Sequence, residues 1–322
     1  MRIHRALTCG TDLKTYRRGH PTIMQRVPTP FGHEFAGEIA AVGLGVDARW
    51  QPGLRVVAAN SAPCNRCDYC RLGRQSLCEN LNFLWGAYAE YIVVPAPIVA
   101  QNLYEIPEGM SYAAASLMEP LACAVHGIAE TSIAVGDTVA VNGAGPIGLM
   151  FVRLAALRGA KVIASVLSPA RLAVAKALGA AETICVPEVV DHVAAVRALT
   201  PRGRGADAAI EAVGLPEVWE QTVRMARPGG VVNLFGGATG GSTFSVSTTL
   251  LHYNELTIKG VFHHTPLYVE TALGLLASGA VPAEAFISEE RPLPQVLEAL
   301  EAMGRGEIIK CALLPTPDAR AA

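Results

Sequence analysis

An apolar run that ends in closely spaced glycines constrains the fold of this 322-residue chain more than any other feature. Residues 138–142 predict a buried strand, and residues 143–148 follow it with the spacing G-x-G-x-x-G. Residues 147–158 then read as a helix, and residues 161–167 as a second strand. A glycine motif between a strand and a helix, followed by a second strand directly after that helix, predicts a dinucleotide-binding unit.

Each glycine of this motif has a separate physical role. Gly143 permits a tight turn, Gly145 lets the backbone approach a pyrophosphate, and Gly148 allows the helix to pack closely on the strand. Pro146 and Ile147 belong to the same turn, where the helix N-terminus faces the phosphates. The alternative is a glycine-rich turn without a ligand.

Strands and helices continue to alternate after the glycine motif. Residues 169–178 predict a helix, and residues 207–212 and 231–235 predict strands. This alternation is typical of a parallel, doubly wound sheet.

The end of the second predicted strand bears on the choice of coenzyme. An acidic residue about 20 positions after the glycines usually binds the ribose hydroxyls of NAD. Val166 stands where we look for that acid, and Ser168 and Arg171 just beyond it could instead bind a 2′-phosphate. NAD and NADP both stay open, with a slight preference for NAD.

A cluster of cysteines predicts a metal site. Of the eight cysteines, four follow the spacing C-x2-C-x2-C-x7-C, namely Cys64, Cys67, Cys70 and Cys78. In a chain without an export signal, such spacing favours metal ligation over disulfides. Four thiolates can surround one Zn²⁺ and leave no position for a substrate, which predicts a structural site. The alternatives are an iron–sulfur cluster and unrelated buried cysteines.

The remaining chain divides into an N-terminal stretch rich in short β-like runs and a C-terminal stretch of helices with a closing strand. The predicted strands are Phe35–Val42, Arg55–Ala59, Tyr88–Val94 and Ile308–Leu314, and the predicted helices are Leu267–Ser278 and Pro294–Met303.

Composition excludes two classes of partner. The formal charge is −2 and the arginines are scattered, so no concentrated basic patch marks a nucleic-acid or membrane surface. The apolar stretch 138–157 carries Asn142, Arg153 and several glycines, which argues against a membrane span. No secretory signal is visible, and we expect a cytoplasmic protein.

Five motifs in order resemble the zinc-containing medium-chain dehydrogenase/reductase family, nearest to its sorbitol (polyol) and threonine dehydrogenase branches. They are the glycine motif, the four-cysteine cluster, C-G-T-D at residues 9–12, G-H-E-F-A-G at residues 32–37 and M-E-P-L at residues 118–121. The resemblance implies an α/β plus β architecture, in which a GroES-like irregular β-barrel catalytic domain is joined to a doubly wound Rossmann domain.

The domain boundaries follow from the same resemblance. We expect a catalytic domain over residues 1–124 with a structural zinc lobe at 64–78, a Rossmann NAD(P)-binding domain over 125–263, and a segment 264–322 that returns to the catalytic domain. Family members have further residues before the motif matched by Cys9, so the N-terminal strands look truncated. A missing strand would leave an exposed sheet edge.

The resemblance also implies a catalytic zinc, and therefore two zinc ions per chain. Cys9 and His33 match its ligands, and Glu119 matches the third, acidic or cysteine, ligand. Glu34 matches a carboxylate that ligates zinc directly in some members. Cys9 on its own could be a buried apolar residue, and Glu119, which precedes a proline, could be a carboxylate at the start of a helix.

Further residues take roles by the same comparison. Asp12 matches the partner that fixes the ring of the histidine ligand, and Thr11 matches the hydroxyl that relays the alcohol proton. Lys14 falls where some relatives have a relay histidine, and Lys310 falls where a basic residue touches the pyrophosphate.

The function implied is hydride transfer between NAD(P) and a secondary alcohol, such as a polyol, a sugar or an amino-alcohol like threonine. The partners would be a small-molecule alcohol or ketone and further copies of the chain in a homodimer or homotetramer. Two alternatives are a zinc-free quinone or enone reductase, against which Cys9, His33 and Glu119 argue, and an inactive scaffold that retains the fold.

Overall fold

The structure is a computed structural model and describes residues 1–19, 23–24 and 27–315. The chain divides into two compact units. The first contains Met1–Ala122 and the described residues from His264 onward, and the second is Cys123–His263.

The first unit is built on a six-stranded sheet with the order β13-β14-β1-β2-β3-β6 and on a small hairpin of β4 and β5. Its strands are β1 (Arg2–Leu7), β2 (Phe35–Glu38), β3 (Arg55–Ala58), β4 (Ser61–Ala62), β5 (Asn82–Phe83), β6 (Leu103–Glu105), β13 (Ile287–Pro292) and β14 (Lys310–Leu314). All pairs in the large sheet are antiparallel except β13 with β14.

Helices cover and connect these strands. They are α1 (Gly10–Arg18), α2 (Asp68–Arg71), α3 (Ala96–Asn102), α4 (Tyr112–Ser116), α5 (Met118–Ala129), which starts in this unit, α11 (Pro266–Ala277) and α12 (Val296–Gly304). Leu13 of α1 packs on Leu300 and Met303 of α12.

The first strand of the chain has a partner on each side, because β1 pairs with β14 and with β2. Gly37 of β2 is needed for this pairing, since a Cβ there would lie 1.9 Å from the carbonyl oxygen of Arg2. Ile3, Phe35 and Val56 of the three neighbouring strands belong to one buried core cluster.

The strand predicted over Tyr88–Val94 is wrong. This segment forms only an isolated bridge between Tyr91 and Arg2. Its backbone instead makes irregular hydrogen bonds with the start of the chain, from Ile3 to Glu90 and from Ile92 to Met1, both with an N···O distance near 3 Å (2.9 and 3.0 Å). Tertiary contacts with the start of the chain, rather than the β-rich composition, determine the conformation of this segment.

The second unit is a doubly wound sheet of six parallel strands in the order β12-β11-β10-β7-β8-β9. Its elements are β7 (Thr138–Asn142), α6 (Pro146–Leu157), β8 (Lys161–Val166), α7 (Pro169–Ala177), β9 (Ala180–Cys185), α8 (His192–Ala198), β10 (Ala206–Glu211), α9 (Pro216–Met225), β11 (Ala226–Leu234), α10 (Thr248–Tyr253) and β12 (Thr257–Gly260). This is the strand order of dinucleotide-binding Rossmann folds, so the predicted fold class is confirmed.

Candidate active site

The four cysteines of the lobe converge. Cys64 follows β4, Cys67 is the N-cap of α2, Cys70 lies in that helix, and Cys78 follows it after a short turn. Their sulfur atoms all lie within 4.8 Å of one another, and the sulfurs of Cys67 and Cys78 are 3.9 Å apart. Tetrahedral zinc with Zn–S bonds of about 2.3 Å requires S···S distances of roughly 3.8 Å. The donor set therefore fits a tetrahedral thiolate-bound metal.

The pKa values of the cysteines in the lobe also bear on metal binding. Hydrogen bonds from the backbone N–H groups of Arg66 and Cys67 lower the pKa of the Cys64 thiol to about 6. Burial and the neighbouring Cys67 thiol raise the pKa of Cys70 to about 12. The hydrogen bonds at Cys64 favour its thiolate form, which is the form that ligates a metal.

Helix α3 braces the lobe, which explains a segment to which the sequence analysis gave no role. The side chain of Asn102 donates to the carbonyl of Ser61 at 2.6 Å, and Gln101 donates to the carbonyl of Pro63 at 3.0 Å. The oxygen of Gln101 accepts from Asn65, inside the lobe, at 2.7 Å.

A substitution tests the lobe as a metal site. We expect Cys70→Ser to lower the zinc content of the purified chain by one ion, because a serine hydroxyl is a poor substitute for a thiolate ligand. Metal analysis of the dialysed protein measures this. Cys185→Ser, which changes a buried thiol in β9, is the matched control and should keep the full metal content. An unchanged content in Cys70→Ser would contradict the assignment.

The second cluster of candidate ligands is anchored at the start of α1. Cys9 is the N-cap of this helix, and its sulfur accepts from the backbone N–H of Thr11 at 3.4 Å. Ligand atoms of Cys9, Asp12 and His33 lie within 4.8 Å of one another. The same holds for His33, Glu34 and Glu119. The first unit thus brings together all four residues that the resemblance assigned to a catalytic metal.

His33 is held by Asp12. Its Nδ1 atom lies 3.3 Å from Asp12 Oδ1, and both side chains are buried. This contact leaves Nε2 as the ring atom for a metal, which is the usual arrangement of a carboxylate behind a histidine ligand. Burial works to lower the pKa of His33, but the negative charges of Asp12 and Cys9 outweigh it and raise the pKa.

Tyr88 supports Asp12 in turn, a role that sequence reasoning missed. Its hydroxyl lies 2.8 Å from Asp12 Oδ2. Burial and the charge of Asp12 raise the pKa of Tyr88, so the hydroxyl stays protonated and donates. Gly32 makes room for this ring, because a Cβ there would lie 2.6 Å from it. The sequence signal that could have indicated this contact is the glycine before His33.

Lys310 is buried in the first unit, where it forms an ion pair with Glu34. Its Nζ atom donates to both oxygens of Glu34, at 2.8 and 2.5 Å, and to the carbonyl of Thr8 at 2.8 Å. Lys310 is 1% exposed and Glu34 is 0% exposed. Burial works to lower the pKa of Lys310, but the charges of Glu34 and Cys9 outweigh it and raise the pKa. All three ammonium protons are used, so the pyrophosphate prediction is corrected: this lysine neutralises Glu34.

Glu119 lies at the start of α5 and is 5% exposed. Its Oε1 atom is 3.8 Å from Nε2 of His264, a residue to which the sequence analysis assigned no role. His264 in turn lies 3.0 Å from Oδ1 of Asn60. Glu119 thus contacts a histidine and lies within 4.8 Å of the ligand atoms of His33 and Glu34.

The glycine motif of the second unit has the geometry that the sequence predicts. Gly145 is the N-cap of α6, and a Cβ on it would meet no atom within 4 Å, so the backbone there is open to a ligand. A Cβ on Gly148 would lie 1.8 Å from the carbonyl oxygen of Gly143. Pro146 and Ile147 form the first turn of the helix. The turn leaves the helix N-terminus free of side chains, as phosphate binding requires.

Arg171 reaches back to this turn. Its guanidinium donates to the carbonyl of Ala144 at 2.9 Å, and burial lowers its pKa. Ser168 is the N-cap of α7 without a side-chain capping bond. The described strand β8 ends at Val166, with no carboxylate at its end. The guanidinium of Arg171 therefore lies beside the glycine turn, and among the described residues no acidic residue directly follows β8 to bind the ribose hydroxyls of NAD.

Glu211 is a further residue that the sequence analysis missed. It ends β10, is fully buried, and accepts from the backbone N–H groups of Val213 and Gly214 at 2.7 Å each. Burial raises its pKa. Val213 presses on the glycine turn, because a Cβ on Gly143 would lie 2.6 Å from it. Glu211 thereby fixes the loop that supports the turn.

Comparisons with known proteins agree with this geometry. Residues 1–108 match the family model of the alcohol dehydrogenase GroES-like domain, and residues 146–278 match that of zinc-binding dehydrogenases. Sorbitol dehydrogenase of Bacillus subtilis is 34% identical over 300 residues, which cover 91% of this chain and 82% of that protein. The chain belongs to the zinc-containing medium-chain dehydrogenase/reductase family.

Other members of the family are similar over almost the whole chain. L-threonine 3-dehydrogenase of Bacillus licheniformis is 33% identical over 323 residues, covering 98% of this chain and 90% of that protein. The solved alcohol dehydrogenase TADH from Thermus sp. ATN1 superposes with a TM-score of 0.87 at 34% identity, covering 97% of this chain and 92% of that one. A structure described as a zinc-binding dehydrogenase from Sinorhizobium meliloti 1021 bound to NADP gives a TM-score of 0.86 at 30% identity, with coverages of 98% and 91%.

Membership of this dehydrogenase family agrees with the donor chemistry of the first unit, where a thiol and carboxylates lie close to the buried imidazole of His33. Among the helices of the described residues, none combines the length and apolarity needed to cross a bilayer.

Proposed function

We propose that this chain is a zinc-dependent dehydrogenase that oxidises a secondary alcohol to a ketone while reducing NAD(P). The substrate class is a polyol, a sugar or an amino-alcohol, because the similar proteins include a sorbitol dehydrogenase and an L-threonine 3-dehydrogenase. The observation that carries the proposal is that the ligand atoms of His33 lie within 4.8 Å of those of Cys9 in one group and of Glu119 in another, all within the first unit.

Cys9, His33 and Glu119 would hold a zinc ion, and three protein ligands would leave one position for a water or a substrate oxygen. Glu34 is the weaker candidate, because both its oxygens accept from Lys310. A zinc ion in this site supplies Lewis-acid activation of the alcohol oxygen. With the four-cysteine lobe, the chain holds two zinc ions.

The side chains around this set prepare the reaction. Asp12 fixes the ring of His33, and Tyr88 fixes Asp12. The hydroxyl of Thr11 would accept the proton of the substrate hydroxyl while it passes its own proton on to solvent. A bound nicotinamide would accept the hydride from the carbon that carries that hydroxyl. One alcohol and one NAD(P)⁺ thus give one ketone, one NAD(P)H and one proton.

A substrate panel tests this function directly. Purified chain loaded with zinc is incubated with sorbitol, xylitol, L-threonine or 2-propanol, each with NAD or NADP, and coenzyme reduction is recorded. We expect turnover of at least one polyol or amino-alcohol that stops when zinc is removed by a chelator and returns when zinc is restored. Turnover that is unaffected by zinc removal would favour a zinc-free reductase, and no turnover of any secondary alcohol would favour an inactive scaffold.

The coenzyme is the second part of the proposal. The sequence alone slightly favours NAD, but the position of Arg171 on the glycine turn favours NADP, because a guanidinium attracts the 2′-phosphate. We expect Arg171→Ala to raise the KM for NADP about 10-fold, with the KM for NAD changing less than about 2-fold, as for loss of one charge-assisted hydrogen bond. Arg197→Ala, on α8 of the same unit, is a matched control. Equal changes for both coenzymes would contradict this assignment.

The cytoplasmic location and the homodimer or homotetramer implied by the resemblance stay predictions. Sedimentation of the purified chain tests the oligomeric state.

A further inference from the structure

His264 is a buried histidine, 2% exposed, that lies two residues before the start of α11. Its Nε2 atom lies 3.0 Å from Oδ1 of Asn60 and 3.8 Å from Oε1 of Glu119. Asn60 is itself 2% exposed. Asn60, His264 and Glu119 are therefore in contact in that order, and Glu119 is the carboxylate assigned above to the metal.

The chemistry of this row determines where the proton of the imidazole lies. Nε2 faces an amide oxygen and a carboxylate oxygen, and both of these are hydrogen-bond acceptors. A hydrogen on Nε2 donates to Oδ1 of Asn60 and places the positive edge of the ring 3.8 Å from the carboxylate of Glu119. The reverse orientation of the Asn60 amide would place a nitrogen lone pair beside the carboxylate of Glu119, which is repulsive.

His264 contacts the proposed ligand Glu119. Across the described ranges, the groups of possible ligand atoms that lie within 4.8 Å of one another include Glu119 with His33 and Glu34, but none includes His264. Like Asp12, which lies 3.3 Å from His33, His264 contacts a proposed ligand, Glu119, at 3.8 Å. Groups that contact a metal ligand in this way orient it and tune its affinity for the ion.

We propose that His264, whose Nε2 atom is held by Asn60, is a positioning residue that orients the carboxylate of Glu119 for the catalytic metal by its contact at 3.8 Å. This inference rests on the proposed function, and it adds a second oriented ligand to the one held by Asp12. It also explains how Glu119, rather than Glu34, becomes the third ligand: Lys310 holds one carboxylate, and His264 aims the other.

The test measures zinc affinity, a property that a purely structural role does not change selectively. His264→Leu removes the N–H group, and His264→Gln keeps an amide N–H in its place. His192→Leu is the matched control, because His192 is also buried but lies in the second unit against Ser165 and Gln221. Each full-length variant is loaded with Zn²⁺ and titrated with a chromophoric chelator, after its melting temperature has been recorded.

We expect His264→Leu to weaken the binding of one zinc ion about 10-fold, as loss of a residue behind a ligand typically does, and to leave the other ion unchanged. His264→Gln should stay within about 3-fold of the parent, and His192→Leu should not differ from it. Equal affinities in His264→Leu and the parent would overturn the proposal. So would equal weakening in the leucine and glutamine variants.

A replacement variant and the zinc content of the parent chain distinguish failure of the His264 role from failure of the proposed function. If His264→Leu does not fold, His264→Asn replaces it, because asparagine is polar but too short to reach Glu119, and the same 10-fold weakening is expected. If the parent chain binds only the ion of the four-cysteine lobe, the proposed function itself fails. If the parent binds two ions and the leucine variant binds both equally well, only the role of His264 fails.

Discussion

Replacing Cys9 by serine abolishes turnover while one zinc ion stays bound to the chain. Cys9 is the thiolate of the proposed catalytic set and the N-cap of α1. A serine keeps the cap, so the helix is retained, but it removes the strongest metal ligand of the set. Without the ion, activation of the alcohol is lost, and we expect kcat/KM to fall by about four orders of magnitude or to background.

Two measurements accompany the Cys9→Ser variant: coenzyme reduction with the best substrate of the panel, and zinc content by elemental analysis. Cys185→Ser makes the same exchange of sulfur for oxygen in a buried position of the second unit and should retain both zinc ions and activity. A Cys9→Ser variant with wild-type turnover would rule out the proposed site. A variant that loses both ions would show that the two sites are not independent.

The Lys310→Met variant is expected to lower the free energy of unfolding by about 3–5 kcal/mol, which is typical when one partner of a buried ion pair is removed. The reason is that the carboxylate of Glu34, 0% exposed, would lose the ammonium group that donates to both its oxygens. For a unit of this size the melting temperature should fall by roughly 10 °C. Scanning calorimetry at constant zinc concentration measures the change.

The double variant Lys310→Met, Glu34→Gln is the control for this prediction. Removing both charges together leaves no unpaired ion, and we expect most of the stability to return. Lys161→Met, which breaks an exposed pair with Glu182 in the second unit, should cost less than about 1 kcal/mol. A Lys310→Met variant as stable as the parent, or a double variant no better than the single, would contradict the buried ion pair.

The features that the sequence predicts well are local ones. The glycine turn and the four-cysteine lobe each occupy a few consecutive residues, so their spacing alone specifies the geometry of the loop. The parallel sheet follows from alternating apolar runs, whose buried strands β7 and β8 were predicted almost to the residue. The pairing of Asp12 with His33 came from the resemblance rather than from spacing.

The features that the sequence analysis missed depend on distant contacts. Lys310 is 276 positions from Glu34, and His264 is 204 positions from Asn60. No periodicity or local motif connects such residues, because the sheet order places β14 beside β1 only after the chain has folded. The irregular segment around Tyr88 was read as a strand for the same reason: its composition is β-rich, but its partners are fixed by tertiary packing.

A zinc-edge anomalous difference map from crystals of the full chain tests the proposed metal site most directly. We expect two peaks, one within the four-cysteine lobe and one about 2.3 Å from Cys9 Sγ and about 2.0–2.1 Å from His33 Nε2, with Glu119 as the third protein ligand. A map with a peak in the lobe and none between Cys9 and His33, from crystals grown with excess zinc, would contradict the proposed catalytic centre.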